Sequence, residues 1–129
     1  MQAKYKIALA LAVGFALGAG AIHGLHAAAS PPAYVINEII VKDEEGYKND
    51  FLPGAQKAID ENGGKYIAGG FNKTVAITGQ PPADRVVILQ FENMDKVTAW
   101  RDAARDAQEK IGSKYATFRT FAVEGVAQY

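Results

Sequence analysis

Cysteine is absent from the 129 residues, and both histidines, His23 and His26, fall within the first 29. The first absence excludes disulfides, thiolate nucleophiles and thiolate metal ligands. The second removes imidazole from any domain that starts after residue 29, and with it the commonest general base and metal ligand near neutral pH. Long hydrophobic runs are also scarce. The longest uncharged one, Ile7 to Ile22, is shorter than the roughly 20 residues a bilayer core needs. Lys4 and Lys6 precede that run, and Ala27-Ala28-Ala29 follows it before Ser30-Pro31-Pro32. This is the order of a secretory signal peptide. The expectation is a signal peptide over 1–29 cleaved after Ala29, a linker over 30–32 and one domain over 33–129, periplasmic or secreted and free of the membrane once cleaved. The alternative is a retained N-terminal membrane anchor, to which the small-residue spacings Gly14–Gly18 and Gly20–Gly24 would contribute.

Net charge is likewise lacking. Without Lys4 and Lys6, twelve basic residues face fourteen acidic ones, which gives no electrostatic reason to bind nucleic acid or an anionic membrane. No phosphate loop, nucleophile elbow or metal-ligand spacing is present, so neither a metal nor a cofactor is expected.

What is present is periodicity. Ala33 to Lys42 is β-branched and aromatic and reads as a strand. Asp43 is placed to cap a helix, with Glu44 and Glu45 in its first turn. Tyr47, Phe51, Leu52, Ala55, Ala58 and Ile59 then recur at helical spacing. Pro53 predicts a kink or a break, opening a second helical segment, and Asn62-Gly63-Gly64 supplies a stop. Lys65 to Gly69 reads as a second strand, Thr74 to Thr78 as a short extended piece, and Asp84 to Phe91 as a strand buried on both faces. Asn93 caps a second helix with the apolar stripe Val97, Trp100, Ala104, Ala107 and Ile111, ended by Gly112-Ser113. Thr117 to Val126 closes the chain as a strand.

Two β-α-β units with right-handed crossovers interleave into an α+β, ferredoxin-like βαββαβ fold, a four-stranded antiparallel sheet with both helices on one face. The other face stays bare, yet strand one alternates Tyr34, Ile36, Glu38 and Ile40 with Val35, Asn37, Ile39 and Val41, apolar on both sides. An oily face of that extent calls for a cover, and a second copy is the simplest one. A homodimer is therefore expected.

Several segments together resemble the domain of unknown function 1330 family. They are Ala33-Tyr34-Val35-Ile36 with Glu38, then Asp43 and Tyr47, then Gly63-Gly64-Lys65-Tyr66, Arg85 to Phe91, Trp100, and Val123-Glu124-Gly125-Val126. The resemblance implies a dimeric α/β barrel, in which two ferredoxin-like sheets pack face to face. That superfamily includes cofactor-free monooxygenases, small-lactone isomerases and chlorite-type haem enzymes, alongside members without assigned activity. Two departures stand out. Gly69 occupies a position where many members carry an Arg, and a haem ligand of the proximal-His kind has no counterpart after residue 29.

Candidate site residues follow from the strands. Glu38, mid-strand among apolar neighbours, is a general-base candidate if its face lines a closed cavity. The bland role is a salt bridge to Arg85 or Arg119. Arg119 is the matching catalytic candidate, as an anion stabiliser. Tyr34, Tyr66, Arg85 and Gln90 are ligand-binding candidates, and Gln90 interrupts an otherwise apolar strand, so a polar partner is expected for it. Asn37 poses the same question on the opposite face. Trp100, at helical spacing, reads as a core anchor. Two functions remain open. One is a homodimeric module that binds a small apolar or carbonyl-containing molecule. The other is a cofactor-independent isomerase or monooxygenase that uses Glu38.

Overall fold

A computed structural model describes residues 30–126. The expected signal peptide lies outside the described residues, as do the last three. Among the described residues no helix is long and apolar enough to cross a membrane.

The strands are β1 (Ala33–Val41), β2 (Lys65–Phe71), β3 (Arg85–Phe91) and β4 (Ala116–Glu124). They form one sheet in the order β2-β3-β1-β4, with every neighbouring pair antiparallel. Helix α1 runs from β1 towards β2 as Glu44–Gly46, a π-helical stretch Tyr47–Phe51 and an α-helical stretch Leu52–Glu61. Helix α2 (Met94–Lys110) joins β3 to β4 through a 3₁₀ turn, Gly112–Lys114. This is the ferredoxin-like α+β fold that the two β-α-β units predict.

The caps are those the sequence offers. The Asp43 carboxylate accepts from the Gly46 N–H at 3.1 Å, and the Asn93 side chain accepts from the Lys96 N–H at 3.0 Å. Pro53 opens the α-helical stretch without breaking α1. The turn before it is π-helical, with the Leu52 N–H bonded to the Tyr47 carbonyl. A wider turn absorbs the donor that proline lacks.

Alternation sorts the side chains. Ala33, Val35, Ile39, Val87, Leu89 and Phe91 are buried against the helices. They pack in two clusters, one with Ile59, Val97 and Trp100, the other joining Ile39 to Tyr47, Phe51 and Ala116. Among the described residues nothing covers the opposite face, and Ile40, Phe121 and Val123 on it are exposed.

Apart from shifts of one or two residues at the ends of β1, β3 and β4, two strand expectations change. β2 continues to Phe71 because Gly69 and Gly70 take positive φ, 100° and 131°, beyond a register shift between Tyr66 and Ala68. A side chain at Gly69 would sit 1.9 Å from the Val86 carbonyl oxygen, so only glycine lets the strands approach there. Thr74 to Thr78 is not a strand in this chain; it lies in an irregular, mostly exposed loop between β2 and β3. The loop is pinned at its base by the Asn72 N–H to Asp84 carbonyl bond of 2.9 Å.

Candidate functional site

The alternation that points Val87, Leu89 and Phe91 at the helices carries Arg85 with them. Phe71 of β2 and Ile39 of β1 stand opposite it in register. Arg85 is only 8% exposed and is the one buried charged residue among those described. Its guanidinium carbon lies 4.6 Å from the Phe71 ring centroid and 5.8 Å from that of Tyr47. Among the described residues, none of the ion pairs involves it, and its buried Nε has no hydrogen-bond acceptor. A buried cation is normally paired, because removing it from water costs several kcal/mol. Two aromatic faces return only part of that.

A cavity of about 50 Å³ adjoins this guanidinium, between helices and sheet. Its polar lining is Asn37, Tyr47, Tyr66, Arg85, Trp100 and Gln108, and the rest is apolar. The indole N–H of Trp100 also lacks an acceptor among the described residues. Two residues of the lining, Arg85 and Trp100, thus carry buried N–H groups without partners, and most of the walls are oily. The Asn37 carbonyl oxygen is already engaged by the Thr120 hydroxyl. Tyr66 lines the cavity yet is partly exposed, which places it at the mouth.

Burial holds the Tyr47 hydroxyl above its ordinary pKa, with Arg85 pulling the other way. The Tyr66 hydroxyl is raised by the same cause and opposed by the same arginine. Both tyrosines are therefore neutral near pH 7 and available as hydrogen-bond donors. Tyr47 and Phe51 reach the cavity from the π-helical stretch of α1; such insertions occur frequently at functional sites.

The remaining candidates lie across the sheet. Tyr34, Glu38 and Gln90 are on the open face, with Tyr34 and Lys65 flanking Gln90 in register. Glu38 stands opposite Arg119 and accepts a charge-assisted hydrogen bond from it. The pairing of Glu38 with Arg85 does not occur, because the sheet separates them: Val86, not Arg85, is the β3 neighbour of Glu38. Glu38 and Arg119 border an open groove of about 430 Å³ that Pro81, Pro82 and Asp84 complete. The site candidates thus divide, with Arg85 and Tyr66 at an enclosed cavity and Tyr34, Glu38, Gln90 and Arg119 on the open face.

Sequence reasoning passed over Trp100, Tyr47 and Gln108. Trp100 and Tyr47 do anchor the core, and what spacing conceals is the unpartnered N–H of one and the arginine beside the other. Asn37 gave a usable signal as a polar residue in phase with the buried side of β1.

Comparison with known proteins gives a family and a fold. The family described as Domain of unknown function (DUF1330) matches residues 32–126. No match to a curated protein was found. A solved structure of RPA0582, a protein of unknown function from Rhodopseudomonas palustris, is similar with a TM-score of 0.53 at 14% identity, covering 83% of this chain and 92% of that one. The structure of methylated RPA0582 gives a TM-score of 0.50 at 13% identity, covering 83% and 90%. At these identities the likeness is one of fold.

Proposed function

This chain belongs to the DUF1330 family, and from that premise we propose that it is an exported homodimeric module that binds a small organic anion, a carboxylate with an apolar body. Arg85 anchors the carboxylate. The apolar walls of the cavity take the body, and Tyr47 and the Trp100 N–H supply further donors. One observation carries the reading: Arg85 is buried, without a counter-ion among the described residues, and its Nε is unsatisfied beside a cavity. A carboxylate is the group whose two oxygens match the planar donor fork of a guanidinium. At about 50 Å³ the space suits the head group and a short body, since a single water needs roughly 10–15 Å³. Export is supported by the pattern of the first 29 residues, and dimerisation by the apolar open face. The enzyme alternative has less support, because Arg119 already occupies the Glu38 carboxylate that would serve as base.

The test is thermal unfolding of the purified protein with acetate, butyrate or benzoate against matched chloride. A carboxylate with an apolar body is expected to raise Tm in a saturable way, and Arg85→Met is expected to abolish the response. Saturation absent from the parent protein, or retained in Arg85→Met, overturns the proposal.

A further inference from the structure

The loop between β2 and β3 contains a segment whose composition and conformation disagree. Thr74-Val75-Ala76-Ile77-Thr78 is β-branched at four of five positions, the composition of a half-buried strand. Its alternation puts Val75 and Ile77 on one side and Thr74, Ala76 and Thr78 on the other. Yet it pairs with no strand among the described residues. Val75 is 82% exposed and Ile77 is 89% exposed, the most exposed of the large hydrophobic side chains described. The segment is bounded on one side by the Asn72–Asp84 bond and on the other by Gly79, at φ +85°, and Pro81-Pro82. Those bounds end a strand cleanly.

We infer that Thr74–Thr78 is a clasping arm that packs Val75 and Ile77 against a second copy of this chain; the inference rests on the dimer proposed above. The occupant follows from position and area. The returning limb of the loop, Pro81, Pro82 and Asp84, borders the groove that holds Ile40 and the Glu38–Arg119 pair of the open sheet face. The loop that carries the arm therefore returns to the sheet along the edge of that open face. Four strands of seven to nine residues present a plan area of roughly 500 Å². A standard interface buries about 800 Å² of accessible surface per partner, and twisted sheets meet closely over only part of their faces. Contact through the arm extends the interface beyond the sheet toward that standard size. In a two-fold arrangement each copy contributes one arm, so both apolar pairs are buried at once.

The experiment is sedimentation of the full chain and of Val75→Ser/Ile77→Ser over a range of protein concentrations, with amide exchange of residues 74–78 followed in the parent protein. The parent is expected to be a dimer at micromolar concentration, with exchange in the arm slowing as dimer forms. The double variant, altered only at exposed positions, is expected to keep its unfolding profile and to dissociate at least about tenfold more readily. A parent dimer whose arm exchanges freely, or a double variant that dimerises as tightly, overturns the arm and leaves the dimer standing. A parent that is monomeric throughout overturns the dimer reading and the arm with it.

Discussion

Arg85 joins two opposed demands in one side chain. As a structural residue it is a poor choice, because nothing among the described residues balances its buried charge. Replacing buried ionic groups by apolar ones of similar volume is often neutral or stabilising. Arg85→Met is accordingly expected to leave the unliganded protein as stable as before, or more so by about 1–2 kcal/mol, once the loss of two aromatic contacts is included. Chemical denaturation would measure this, and a clear destabilisation would mean that the arginine is satisfied structurally. The neighbouring Tyr47 provides a second readout. Its hydroxyl is raised by burial, so the folded protein holds that proton longer than the unfolded chain does. The associated stability is fully present below pH 10 and falls as pH rises from there through the folded-state value, with a slope of at most about 1.4 kcal/mol per pH unit. Tyr47→Phe is expected to flatten that fall in denaturation followed at alkaline pH. Because Arg85 pulls the Tyr47 value down, Arg85→Met is expected to delay Tyr47 ionisation further in an ultraviolet titration.

At the level of elements, most of the architecture was legible because helices and strands announce themselves by period. Asp43 and Asn93 are placed as caps in the sequence and act as caps in the structure, and β1 alternates as read. Strand β3, read as buried on both faces, is buried on the helix side and only half-buried on the other, because the open face of the sheet has no helix over it. Three features escaped for one reason: they depend on what the backbone meets in space. The π-helical turn before Pro53 follows from a missing donor whose remedy the sequence does not specify. Thr74–Thr78 has strand composition but no strand beside it. The reach of β2 past Gly69 depends on a strand approach that leaves no room for a Cβ. The site was half legible. Phase alone put Asn37 on the face opposite Glu38, whereas the helix-side position of Arg85, read as a possible partner of Glu38, and the orphaned Trp100 N–H needed three dimensions. Gly69→Ala tests the approach directly. With φ at +100° and the Val86 carbonyl 1.9 Å from the added atom, the substitution is expected to destabilise by about 2 kcal/mol or more in thermal unfolding. The same change at Gly63, which has open space around it, is expected to cost only about 1 kcal/mol, from its positive φ.

For the whole molecule, the open sheet face is where the proposed assembly can be separated from the fold. Glu38 and Arg119 pair across β1 and β4 on that face, Arg119 being 74% exposed in the single chain, and Arg119 also lies 5.2 Å from the Phe121 ring centroid. In a lone subunit such a pair contributes at most about 1 kcal/mol. Between two sheets it loses water, and removing the carboxylate then strands a guanidinium, a change that costs about 2–5 kcal/mol in buried pairs. Glu38→Gln is therefore expected to leave unfolding of the dilute monomer nearly unchanged while weakening the dimer strongly. Glu38→Gln/Arg119→Met is expected to recover much of the association, because neither charge is then buried alone. Denaturation profiles at several protein concentrations distinguish these outcomes, since only a loss of association produces a defect that grows with concentration. A Glu38→Gln defect that is the same at every concentration would place the pair outside any interface. A loss confined to ligand response, with association intact, would instead return Glu38 to the chemistry of a site on the open face.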